Sequence, residues 1–135
     1  MALKHRTPIQ IRFKDVDALG HVNNANHVTY FEYARIRFFD DLIGAEIDWD
    51  NEGLILAHQQ VHYKKPIYLK DEISVLTWFE KSGTTSFELG YEIVRKEKDG
   101  SETICATGSS VQVCYNYKQQ KPIPIPEMWR RKMIG

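Results

Sequence analysis

The segment Asp15-Val16-Asp17-Ala18-Leu19-Gly20-His21-Val22-Asn23-Asn24 crowds two carboxylates, an imidazole and two carboxamides into one short stretch. A carboxylate can attack a carbonyl carbon or take a proton from water without metal or serine, and an imidazole beside it can orient it or hold that water. The aromatic run Tyr30-Phe31-Glu32-Tyr33-Ala34-Arg35 follows closely, so the polar turn leads into a helix. That adds a second resource. The first backbone N–H groups of a helix are unpaired and carry partial positive charge, which suits a developing oxyanion. Residues 15–24 therefore read as a site.

Other chemistries are not signalled. No CxxC, HExxH, GxSxG, P-loop or GxGxxG pattern occurs, which removes the commonest zinc, serine-hydrolase and nucleotide readings, and no metal site is expected. Eighteen basic and eighteen acidic side chains give a net charge of +0, so there is no overall field for a phosphate backbone, and nucleic acid is not an expected partner. The start Met1-Ala2-Leu3-Lys4-His5-Arg6 lacks an apolar h-region, and no run approaches the roughly 18 apolar residues of a membrane span. The chain reads as cytoplasmic. Cys105 and Cys114 fall in one apparent strand, where about 3.3 Å per residue sets them roughly 30 Å apart. That is too far for a disulfide, so both read as reduced thiols packed in the strand.

The elements that must hold the site follow from periodicity. With 135 residues, 42% of them hydrophobic, the chain fits one domain spanning 1–135 that buries roughly two thirds of its unfolded surface. Ile9, Ile11 and Phe13 alternate with polar residues as a first strand. From about Asn24 to Ile43, Phe31, Ala34, Phe38 and Leu42 recur at helical spacing. Val28, Tyr33, Ile36, Phe39 and Ile43 widen the stripe, which predicts a largely buried helix stopping at Gly44. Segments 54–63, 73–79, 85–93 and 103–115 then read as an antiparallel meander, with turns at Lys81-Ser82-Gly83 and Lys96 to Gly100. The tail, with Pro122, Pro124 and Pro126, is expected to close in a short turn around Glu127 to Arg131. A helix this apolar requires a sheet wrapped around it, hence an α+β class with an antiparallel five-stranded sheet around one long central helix. Such a sheet has free edges, which predicts a homodimer joined edge to edge, alone or paired into a homotetramer.

These residues carry a resemblance. Asp15-x-Asp17-x-x-Gly20-His21-Val22-Asn23-Asn24 opening a helix with Tyr30-Phe31-Glu32-Tyr33-Ala34-Arg35 resembles the hotdog-fold acyl-CoA thioesterases of the 4-hydroxybenzoyl-CoA thioesterase type. Tyr63-Lys64-Lys65-Pro66-Ile67-Tyr68-Leu69-Lys70-Asp71-Glu72-Ile73 resembles that family's second recurrent stretch, and the Pro-rich tail its usual ending. The resemblance implies that Asp17 is catalytic, as nucleophile on the thioester carbonyl or as general base for water. It implies that the backbone N–H of Asn24 polarises the thioester oxygen, whatever the side chain there. His21 matches a motif histidine of plant acyl-acyl carrier protein thioesterases of similar fold and is expected to bond Asp17, hold a water or line the pocket. Those enzymes carry asparagine where this chain has Leu19, so their full constellation does not transfer.

The resemblance further makes Tyr30, Tyr33 and His58 candidates for the acyl pocket. It places Ser82, Gly83, Thr84 and Thr85 against the pantetheine and phosphates of a CoA lying across the dimer interface. Asp15 reads as a turn residue, and Asn23 and Asn24 as N-caps as much as substrate contacts. No cofactor is implied, since CoA enters as part of the substrate. The activity implied is hydrolysis of an acyl-CoA thioester to free acid and CoA. The rival readings are a thioesterase acting on an acyl-acyl carrier protein and a non-catalytic acyl-CoA binding module on the same dimer.

Overall fold

The computed structural model describes residues 4–44 and 47–134. Strand β1 (His5–Ile9) leads through a 3-10 turn (Phe13–Asp15) and the polar stretch into α1 (Ala25–Leu42). Strands β2 (Gly53–Tyr63), β3 (Ile73–Ser82), β4 (Ser86–Lys96) and β5 (Glu102–Asn116) follow, then a two-residue β6 (Lys121–Pro122) and α2 (Glu127–Ile134). The strand order is β1-β3-β4-β5-β2, with β6 beside β5 and every pairing antiparallel. This is the α+β arrangement that the hotdog resemblance implies.

The helix docks on one face of the sheet because its stripe of Phe31, Ala34 and Phe38 meets Val75, Phe87, Leu89, Tyr91 and Ile93, all at most 1% exposed. Alternation puts these strand residues on the same face as the helix. Phe31 stacks on Tyr91 with centroids 4.6 Å apart, and it comes so close to β5 that a Cβ on Gly108 would lie 2.5 Å from its ring. At the far end Trp129 of α2 packs against Phe39 at 6.0 Å and, with Met133, closes the core.

Four expectations are corrected. The first strand ends at Ile9 rather than running to Phe13, which is 83% exposed, because Arg12 N–H donates to Asp15 Oδ2 and turns the chain. The later strands are not a simple meander: β2 pairs with β5, and the place beside β3 is taken by β1. The helix is not buried on most sides, since Val28, Tyr33 and Ile36 are 40%, 50% and 52% exposed. The tail forms a helix of 8 residues instead of a short turn, held by buried Trp129 and Met133. Cys105 and Cys114 both lie on β5, buried and unbridged. No helix among the described residues is long and apolar enough to cross a membrane.

Candidate active site

The polar stretch folds as a tight turn braced from both sides. Asp17 N–H donates to the His21 carbonyl at 3.0 Å, Gly20 N–H to the Asp17 carbonyl at 3.0 Å, and Gly20 sits at φ 90°, a conformation that suits glycine alone among ordinary residues. Asp17 Oδ1 accepts the Leu19 N–H at 2.9 Å, an Asx-type turn that fixes the carboxylate while leaving Oδ2 uncommitted. His21 Nδ1 lies 3.9 Å from that Oδ2, beyond hydrogen-bond range but within reach of an ion pair. Short bridges between Val16 and Val22 and between His21 and Tyr68 close the turn onto the segment before β3.

Asp15 is the anchor. It is 2% exposed, and its Oδ2 accepts from the Tyr30 hydroxyl at 2.8 Å and from Arg12 N–H at 3.1 Å. Its carbonyl accepts from Asn23 N–H at 2.8 Å and from Asn26 Nδ2 at 2.9 Å, which ties the turn to the helix start. Burial, then the Asp15 carboxylate, push the Tyr30 hydroxyl well above the ordinary tyrosine range, so it stays protonated and donating.

At the start of α1 the adjacent asparagines divide the work. Asn23 Oδ1 accepts the Ala25 N–H at 2.9 Å, whereas the Asn24 side chain makes no capping bond. The Asn24 N–H has no acceptor among the described residues, and its carbonyl is pinned by the Tyr63 hydroxyl at 2.9 Å. An open N–H at a helix start is thus held in place from behind.

A cleft of about 230 Å³ opens at this point, lined by His21, Val22, Asn24, His27 and residues Tyr63 to Ile67. His27 was hidden in the sequence within the apolar stripe of α1. It is 3% exposed, stands edge-on to Tyr63 with centroids 4.8 Å apart, and leaves Nδ1 without a hydrogen-bond partner. Burial holds its imidazole below the ordinary histidine range, outweighing the opposing pull of the Asn23 and Asn24 carbonyls.

The other candidates lie elsewhere. Tyr30 and Tyr33 line a second cavity of about 330 Å³, with Pro8, Ile9, Thr29 and Asp15, on the β1 side of the helix. His58 is exposed on β2 and, since Gln59, Val61 and Tyr63 alternate on the helix side, it points to the opposite face of the sheet. Ser82, Gly83, Thr84 and Thr85 form the β3–β4 hairpin. The cleft adjoins the Ile73 end of β3, where Val22 N–H donates to the Ile67 carbonyl at 2.7 Å, so the hairpin sits at the other end of β3, roughly 30 Å away at about 3.3 Å per residue. Arg130 of α2 secures it, donating to Ser82 Oγ and to the Gly83 carbonyl at 2.9 Å each. One chain therefore brings His21 and Asn24 to one cleft, with Asp17 beside His21 on the same turn but outside the cleft lining, and leaves His58 and the hairpin apart. Among the described residues no group of three or more His, Cys, Asp or Glu is placed to hold a metal ion.

The pattern of the Thioesterase-like superfamily matches residues 11–133. YneP of Bacillus subtilis (strain 168), provisionally named an acyl-CoA thioesterase, is 28% identical over 117 residues, 85% of this chain and 82% of that protein. A thioesterase from Thermus thermophilus, solved in complex with coenzyme A and Zn, superposes with a TM-score of 0.80 at 34% identity, covering 96% of this chain and 97% of that one. A mutant 4-hydroxybenzoyl-CoA thioesterase complexed with 4-hydroxybenzoyl-CoA shares the fold, with a TM-score of 0.86 at 13% identity over 96% of this chain and 98% of that one.

Proposed function

The chain belongs to the Thioesterase-like superfamily, and on that premise we propose that it is an acyl-CoA thioesterase, splitting acyl-CoA into a free carboxylic acid and CoA at the turn of residues 15–24. One observation carries the reading: a carboxylate with one oxygen tied and one free stands beside His21, which lines a cleft together with Asn24, whose N–H has no acceptor among the described residues. The thioester oxygen takes the Asn24 N–H, where helix-start charge stabilises the oxyanion. Asp17 Oδ2 either attacks the carbonyl carbon or removes a proton from the attacking water. Both routes break the C–S bond, release the thiol, which takes up a proton, and consume one water: directly in the general-base route, and by hydrolysis of the acyl–Asp17 anhydride, which restores the carboxylate, in the nucleophilic one. His21 orients Oδ2 or its water. No step is assigned to a metal or a cofactor, and two reduced cysteines accord with a cytoplasmic setting.

The active species in this reading is a homodimer, alone or paired into a tetramer. Strand β2 is a free edge. It exposes Ile55 and Leu56, and it carries Gln59 with both amide atoms buried and without hydrogen-bond partners. Antiparallel pairing of two β2 edges about a two-fold axis brings the second copy's Ser82–Thr85 hairpin to the Tyr63 end of the first, beside the cleft. Tyr30 and Tyr33, in their separate cavity, are assigned to the acyl group.

Thiol release from a panel of acyl-CoAs by the purified protein tests the activity. Turnover of at least one acyl-CoA is expected, and failure on every acyl length and aromatic acyl group overturns the reading. Light scattering on dilute active enzyme tests the assembly, which a stable active monomer contradicts.

A further inference from the structure

His27 is a buried imidazole that the mechanism above leaves unused. Its Nδ1 is sealed from solvent and has no hydrogen-bond partner among the described residues. A phenylalanine in the same place would keep the edge-on contact with Tyr63 without stranding a polar atom. Along the rest of the cleft wall the polar side chains are engaged, of the wrong kind or, like the Asn24 carboxamide that caps nothing, exposed to solvent. The Tyr63 hydroxyl is committed to the Asn24 carbonyl, His21 faces Asp17, and Lys64 and Lys65 can only donate. His27 is thus the buried side-chain acceptor of the cleft. Side chains on a helix tilt toward its N-terminus, so this ring lies beside Asn24 rather than beyond it.

The chemistry of the substrate supplies a matching donor. With a thioester oxygen on the Asn24 N–H, the thiol portion extends along the same wall, and two methylenes beyond its sulfur comes the first amide N–H of the phosphopantetheine arm. We propose that His27 accepts a hydrogen bond from this cysteamine amide, so that the enzyme recognises the arm common to CoA and acyl carrier protein rather than the thioester alone. Burial favours the neutral ring, which keeps one nitrogen as a lone-pair acceptor for the arm. The inference rests on the thioesterase reading above.

The test compares kcat/KM for one acyl group carried on N-acetylcysteamine, which has the amide, and on butanethiol, which lacks it. Wild type is expected to prefer the amide-bearing thioester. His27→Phe should lower that preference about tenfold, the scale of one hydrogen bond, mainly through KM, and His27→Gln should restore most of it. The preference is a ratio within one preparation, so the folded fraction cancels. The CoA and carrier-protein thioesters of the same acyl group should lose rate in parallel in His27→Phe; a loss confined to one moves the contact outside the shared arm and overturns the proposal. Equal losses on the N-acetylcysteamine and butanethiol thioesters, or an unchanged preference, also overturn it. A wild-type protein inactive on every thioester removes the thioesterase reading itself and the inference with it.

Discussion

The Tyr30 hydroxyl donates to Asp15 Oδ2 at 2.8 Å with both groups buried, joining the carboxylate turn to the second turn of α1. Tyr30→Phe leaves Asp15 short of a donor and should cost about 1–3 kcal/mol, read by denaturant unfolding. The hydroxyl's pKa in the fold exceeds the unfolded value of about 10, so the native state holds more protons above that pH, and stability falls as pH rises from there. Tyr30→Phe should lack this part of the alkaline loss. An unchanged unfolding energy and an unchanged alkaline slope would show that the bond anchors nothing.

Asp17→Asn should keep the fold, because the side chain is part-exposed and its tie to the Leu19 N–H survives in the amide. Activity should drop roughly 10²- to 10⁴-fold, since an amide neither attacks a carbonyl nor takes a proton. Steady-state thiol release beside a thermal melt checks both halves, and wild-type turnover would remove Asp17 from the mechanism.

Asn23→Ala should lose about 0.5–2 kcal/mol of stability by removing the cap on Ala25 N–H. Asn24→Ala should be nearly neutral in stability and retain most of the turnover, because the group used is the backbone N–H. His21→Ala should reduce turnover more than Asn24→Ala. Parallel melts and kinetics on the three variants decide, and loss of catalysis in folded Asn24→Ala with a silent His21→Ala would transfer the role to the carboxamide.

Burial pushes the Cys114 thiol up to about 12 and raises that of Cys105. At pH 8 the thiolate fraction of Cys114 is then roughly one in ten thousand, so the folded protein should barely react with thiol reagents. Titration should find both thiols only after denaturation. Fast reaction of either in the native state would mean that β5 opens readily.

Much of this was legible. The bounds of α1 followed from Phe31, Ala34 and Phe38, whose spacing matches a single buried stripe, and the strands of the β3–β4 and β4–β5 hairpins announced themselves by alternation and turn residues. Alternation marks a strand but not its neighbour, which is why the pairing of β2 with β5 was not visible. It also ran on through Phe13, where the chain turns because of an Asp15 carboxylate whose partners lie at residues 12 and 30. The turn of residues 15–24 stood out by its residue types, but which of two adjacent asparagines caps the helix is a matter of rotamer. His27 fell on the apolar face and showed nothing polar in its spacing; only packing reveals that its Nδ1 is stranded.

The grip of Arg130 on Ser82 and Gly83 has a consequence for mixtures of chains. In the proposed dimer each cleft combines its own Asp17 with a hairpin lent by the other copy and braced by that copy's Arg130. A chain carrying Asp17→Asn and a chain carrying Arg130→Ala are each impaired at both sites when paired with themselves. When the two share a dimer, both defects gather in one cleft, while the other receives an intact carboxylate and a firmly held hairpin. Mixing two weak enzymes should then restore activity toward one working site per dimer, a complementation that a self-sufficient monomer cannot show.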